Sequence, residues 1–196
     1  MFWLTFLFVG DKMLRKGSEG MKINGKIKDM TLVSVGAVLL CITAWITIPF
    51  AVPFTLQTFG VAFVLFAFGG KRGALAIAVY IALGLIGVPV FSGFNSGFGV
   101  FLGATGGYII GFVLWGCLYL ALESLFLRKY IVGIAVQLFG LMASYALGTV
   151  WYAVWCGSES LWASLAVCVF PYVIPDVIKI ILAYAVARRV KRALGN

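Results

Sequence analysis

LWASLAVCVFPYVIPDVIKIILAYAVARRVKR, residues 161–192, carries the decision about the fold. Its first part, Leu161–Phe170, is apolar but only ten residues long. That is about 15 Å of helix, half of the roughly 30 Å that a bilayer core demands. Pro171 and Pro175 break the run. A new helix is expected to open at Pro175-Asp176 and to run to about Arg192, since proline suits a first helical turn and an acid there suits the helix dipole. The choice is whether 161–170 counts as a membrane span. Counting it would put Arg188, Arg189, Lys191 and Arg192 on the side opposite the chain's other basic clusters. Those clusters are the six residues Lys12, Arg15, Lys16, Lys22, Lys26 and Lys28, then Lys71-Arg72, then Arg128-Lys129. With 161–170 as a re-entrant or interfacial piece, all fourteen cations fall on one face and the three opposite loops carry none. The positive-inside rule then gives six spans with both termini cytoplasmic. The fifteenth cation, Lys179, lies inside the last span.

The rest of the chain agrees with a life in lipid. Of 196 residues, 63% are hydrophobic and 11% charged, and mean hydropathy is +1.11. A soluble domain of this size cannot cover its surface with 21 charged side chains (15 basic, 6 acidic). Disorder and a charged nucleic-acid-binding face are excluded on the same ground. The expected spans are Leu32–Phe50, ended by Pro49 and Pro53; Phe54–Gly70, stopped by Lys71-Arg72; Ala74–Val88, ended by Pro89; Tyr108–Leu127; Tyr130–Trp155; and the helix from Pro175. The apolar runs are continuous, not alternating, which rules out a transmembrane β-barrel. Residues 1–30 form a basic N-terminal extension, with Met13, Met21 and Met30 each placed to serve as a start, and residues 31–193 form the membrane domain. The charge of +9 is therefore mainly orientation.

Composition also narrows the chemistry. There is no histidine, and three of the six carboxylates precede the first long apolar run. The four cysteines show no CxxC spacing and read as packing thiols, so no metal site is expected. There is no GxxxxGK[ST] loop, no HExxH and no serine–histidine pair. The chain is read as a non-enzyme, without a cofactor of its own.

Each polar residue at membrane depth then carries weight. Asp176 and Lys179, at i and i+3, share a helix face. They read as a binding pair, or as a helix-start acid paired to lower its burial cost. The outer loop PVFSGFNSGFGVFLGATGGY, residues 89–108 between the third and fourth spans, has six glycines, Phe91, Asn95 and, at its end, Gly107 and Tyr108. It suits a lid of backbone and aromatic rings over a small amphipathic molecule, or else a turn-rich interfacial connection. Gln57 sits at the start of the second helix. These clusters map to one side of the membrane and describe one outward-facing site. On the first helix, Ser34, Ala37, Cys41 and Ala44 make a stripe of small side chains, which admits either another helix of this chain or a second protein.

The stretches PFTLQTFGV (53–61), GGKRGALA (69–76), Tyr80, GLIGVPVF (84–91), GATGGYIIGF (103–112) and PDVIKIILA (175–183) resemble, in order, the BioY family, the biotin-binding S components of energy-coupling factor (ECF) transporters. Ala104 departs from the family's usual proline before Thr-Gly-Gly-Tyr. The resemblance implies a six-helix plasma-membrane protein that captures biotin from outside, with an ECF membrane coupling protein and a pair of ATPases, which use the ATP, as partners. It further implies that Asn95, Asp176 and Lys179 face the ureido ring of biotin. The apolar parts of biotin would lie on Phe91, Tyr108 and the loop aromatics, and the carboxylate would either rest on backbone N–H groups of the glycine loop, Gly107 among them, or stay near water. Ala37, Cys41 and Ala44 would meet the coupling protein. The alternatives are an S component for another vitamin, such as thiamin or riboflavin, and a membrane scaffold in which the ion pair only holds helices together.

Overall fold

The computed structural model describes residues 25–50, 52–126, 130–158 and 160–193. By its internal contacts the chain divides at Thr31–Leu32. The described part of the first unit is helical throughout, and all that follows concerns the second, which is almost entirely helical.

The elements in order are α1 (Gly25–Trp45), a two-residue strand β1 (Thr47–Ile48), a second, β2 (Phe54–Thr55), then α2 (Gln57–Phe68) and α3 (Gly70–Leu85). A 3-10 turn, Ser92–Phe94, and the short α4 (Phe98–Leu102) follow. The remaining helices are α5 (Gly106–Phe126), α6 (Tyr130–Cys156), α7 (Leu161–Cys168) and α8 (Phe170–Ala193). The strands pair antiparallel, Thr47 with Thr55 and Ile48 with Phe54. Among the described residues, four helices, α1, α5, α6 and α8, are long and apolar enough to cross a membrane.

Several boundaries differ from the sequence expectation. The first helix begins before Leu32 and stops at Trp45, because Thr47 and Ile48 leave the helix to pair with β2. The second expected span, Phe54–Gly70, is a strand followed by a 12-residue helix, about 18 Å long. Lys71 and Arg72 do not lie in a loop. Gly69 alone joins α2 to α3, at φ +84°, a conformation that glycine adopts without steric cost. Glu123 from α5 then accepts the Gly70 N–H at 3.0 Å, placing a carboxylate where the helix dipole favours it. The last helix starts at Phe170, five residues before the expected Pro175-Asp176, because Pro171 already occupies its first turn. Pro175 therefore lies inside the helix, where its nitrogen has no hydrogen to offer the carbonyl of Pro171. The ambiguous stretch before it is the eight-residue α7, capped by Ser160, whose Oγ accepts from the Ala163 N–H.

Packing runs through missing side chains. Trp115 lies where a Cβ on Gly140 would be, 2.0 Å from its Cδ1, and Tyr108 does the same at Gly148, so α5 and α6 approach closely. Trp115 donates to Gln137 Oε1 at 2.6 Å, and Gln137 donates to the Ala62 carbonyl at 3.3 Å, tying α5, α6 and α2 together. The same logic corrects the reading of the first helix. Ala37, Cys41 and Ala44 are buried in the core of this chain, at 2%, 7% and 0% exposure, and so offer no face to a coupling protein. Their helix packs on the chain's own α2 and α3: a Cβ on Gly60 would strike Thr43, and one on Gly36 would strike Ala76. Small side chains were a sound sign of close approach, but the helices that approach belong to the same molecule.

Candidate binding site

Asp176 and Lys179 lie on one face of α8, and both are buried. Their ion pair is 2.7 Å from Lys179 Nζ to Asp176 Oδ1. An ionised pair at this depth persists only if its remaining hydrogen-bonding positions are filled. Two other elements fill several of them. The short hairpin offers the Thr55 carbonyl, which accepts from Lys179 Nζ at 2.7 Å, and the ring of Phe54, whose centre lies 3.9 Å from the ammonium. This accounts for the early end of α1: the hairpin turns a backbone carbonyl and an aromatic face toward the lysine. From α6, Tyr145 donates its hydroxyl to Asp176 Oδ2 at 2.6 Å. Tyr172 braces the start of α8 by donating to the Val52 carbonyl and stacking on Phe54 at 5.9 Å between ring centres.

This cluster borders a cavity of about 250 Å³, close to the lower end of the roughly 300–1,000 Å³ usual for small-molecule sites. Gln57, Phe91, Asn95, Tyr108, Asp176 and Lys179 all line it, so the structure brings six of the expected site residues to one space. Gln57 is buried, and its Nε2 donates to the Tyr80 hydroxyl at 2.6 Å, which leaves the Tyr80 O–H as a donor. Tyr80 in turn meets the ring of Phe91 edge-on, at 5.6 Å and 83°. Phe91 rests against Gly84: a Cβ there would be 2.1 Å from the ring's Cζ. Tyr108 stands on the far wall, over Gly148.

The mouth is formed by the turn after Pro89. Asn95 is exposed and donates from Nδ2 to the Ser92 carbonyl at 2.8 Å. The turn is clipped to the end of α1, where Trp45 Nε1 donates to the Pro89 carbonyl at 3.0 Å and stacks on Phe94. Thr47 and Ser92 share a hydroxyl hydrogen bond of 2.9 Å. Phe94 holds φ +61°, a left-handed conformation uncommon for a residue with a side chain, next to Gly93 at +69°.

Gly107 does not belong to this space. It faces α6, where an added Cβ would fall 2.3 Å from the Cβ of Trp151, so it serves helix approach and is not part of the lining. Conversely, sequence reasoning missed Tyr145, Tyr80, Phe54 and Tyr172. A signal for Tyr145 existed. Gln137, Ser144, Tyr145 and Thr149 are polar positions in an otherwise apolar helix, one or two turns apart, and they gather on one face. Phe54 and Tyr172 gave no such signal, since their roles depend on the hairpin.

The comparisons with known proteins point one way. A family model described as the BioY family matches residues 15–196. The biotin transporter BioY of Thermotoga maritima is 37% identical over 155 residues, covering 79% of this chain and 90% of that protein. The probable biotin transporter BioY of Pyrococcus horikoshii is 34% identical over 167 residues, covering 85% and 98%. Among solved structures, the S-component for biotin from an ECF-type ABC transporter superposes with a TM-score of 0.79 at 28% identity, covering 88% of this chain and 95% of that one.

Proposed function

The chain belongs to the BioY family, and on that premise we propose that the cavity beside Asp176 and Lys179 is its biotin pocket. The protein is a multi-pass membrane protein, the biotin-binding S component of an ECF-type transporter, and not an enzyme. One observation carries the assignment of the pocket: a buried ion pair that keeps hydrogen-bonding capacity faces a space of about 250 Å³ lined otherwise by aromatic rings, aliphatic side chains and neutral polar groups. Ionisable side chains in lipid are costly, and they persist where they have work to do.

The chemistry fits the bicyclic ring of biotin, which presents two N–H donors and one carbonyl acceptor. Asp176 keeps lone pairs beyond those given to Lys179 and Tyr145, and accepts a ureido N–H. Lys179 has used two of its three N–H groups. The third, now over Phe54, is the donor for the ureido oxygen, with Asn95 beside it at the mouth. Phe91 and Tyr108 take the sulfur ring and the aliphatic tail. Gln57 holds Tyr80 in the wall.

Six helices, α1, α2, α3, α5, α6 and α8, are assigned as spans, with both termini cytoplasmic. The support is the map of cations, fourteen of fifteen on one face. The cytoplasmic partners assigned to that face are a membrane coupling protein and an ATPase pair, with the plasma membrane as location. Residues 1–30 are assigned as an N-terminal extension; 1–24 lie outside the described residues, and 25–30 open α1. Titration calorimetry of detergent-purified protein tests the pocket: Asp176→Asn is expected to weaken biotin binding at least about tenfold, the worth of one charge-assisted hydrogen bond, and Asn95→Ala by up to about tenfold, the worth of a neutral one. Unchanged affinity in both would overturn the assignment. Mass spectrometry of the co-purified ligand separates biotin from thiamin and riboflavin.

A further inference from the structure

We propose that this cavity recognises biotin by its ureido ring and not by the charge of its carboxylate, so that neutral carboxyl derivatives, the primary amide of biotin above all, bind nearly as well as the acid. The inference rests on the biotin reading and extends its substrate class. Among the described residues, Lys179 is the one cation that lines the cavity. Its charge is balanced by Asp176 at 2.7 Å. An anion approaching the lysine therefore approaches the aspartate as well, and attraction and repulsion largely cancel. The hydrogen-bond count is equally closed. Two N–H groups of Lys179 go to Asp176 Oδ1 and the Thr55 carbonyl, which leaves one, over Phe54, and on the biotin reading the ureido oxygen takes it.

No other described cation reaches the space. Arg188 is nine residues beyond Lys179 on the same helix, about 14 Å along its axis. Lys71 and Arg72 stand at the far end of α3, the end away from Tyr80, at a similar distance. What remains for the carboxylate is the mouth, where Ser92, Asn95 and Thr105 are neutral and Asn95 is exposed to solvent. Neutral hydroxyl and amide groups serve a carboxylate oxygen or an amide nitrogen with comparable ease, and a carboxylate at an open mouth keeps part of its hydration.

The test is titration calorimetry on the full chain in detergent, with biotin, the isosteric primary amide of biotin, and biotin methylated on a ureido nitrogen. The amide is expected to bind within about tenfold of biotin, the worth of one neutral hydrogen bond. The ureido-methylated compound is expected to lose about a hundredfold or more, since it replaces a charge-assisted N–H donor to Asp176 by a methyl group that the buried site must also accommodate. A loss for the amide beyond about thirtyfold overturns the inference, because charge would then be read. The arms separate the two claims. Failure of biotin itself to bind removes the biotin reading and this inference with it, whereas tight biotin binding with loss of the amide removes this inference alone.

Discussion

Tyr145→Phe is the most informative single change. It removes one oxygen, keeps the ring, and strips Asp176 Oδ2 of the hydroxyl that donates to it at 2.6 Å. Hydrogen bonds to a charged group are worth about 1.5–3 kcal/mol, or roughly tenfold to a hundredfold and slightly more in affinity. Where that loss shows depends on water. In the unliganded protein the cavity is open enough for water to replace the hydroxyl, so folding stability falls little. Once biotin fills the space the oxygen has no substitute partner, and the cost appears in Kd. Calorimetric Kd is expected to rise about tenfold to a hundredfold, with a shift in Tm of only a few degrees. The role is that of a positioning residue acting through Asp176, so the two changes should not add. Introduced into Asp176→Asn, Tyr145→Phe should cost less than about threefold more, the coupling expected of side chains in direct contact. Full additivity, or an unchanged Kd in the single variant, would refute the reasoning.

Two further changes probe the frame. Gly84→Ala places a Cβ 2.1 Å from the Phe91 ring, which must retreat about 1.5 Å to reach van der Waals distance and loses its edge-on contact with Tyr80. Overpacking of this kind costs about 1–3 kcal/mol; the expected result is a lower Tm together with weaker biotin binding, and normal values of both would mean that the ring lies elsewhere. Ala37→Trp forces an indole into a position that is 2% exposed and is expected to destabilise the protein by more than about 3 kcal/mol. Gel filtration and thermal unfolding in detergent check this, and a fully stable, monodisperse variant would return the first helix to the role of a partner surface.

The sequence made the lipid-facing character and the ion pair legible for different reasons. Spans are legible because backbone in lipid must bond to itself, so an apolar run of sufficient length has one regular solution. Asp176 and Lys179 stand out because charge at that depth is rare. What escaped was decided by contacts distant in sequence. Nothing in TIPFAVPFT announces a two-strand hairpin, whose pairing of Thr47 with Thr55 is stabilised by what it does for Lys179, 124 residues away. The stripe at Ala37, Cys41 and Ala44 lies on a buried face of the first helix; helical spacing fixes a face and not its neighbour. Gly107 failed for the same reason, being one residue from Tyr108 yet turned toward Trp151.

The mutual cancellation of Asp176 and Lys179 has a bioenergetic side. A cavity that carried a net positive charge would neutralise a biotin anion while it is bound. This one contributes nothing to the electrical balance, so a biotin anion moving inward across an inside-negative membrane takes its whole charge with it. At 100 mV that is about 2.3 kcal/mol of electrical work added to any concentration gradient. On the proposed reading, the loaded subunit therefore carries the vitamin's own negative charge, and an inside-negative voltage opposes its inward passage.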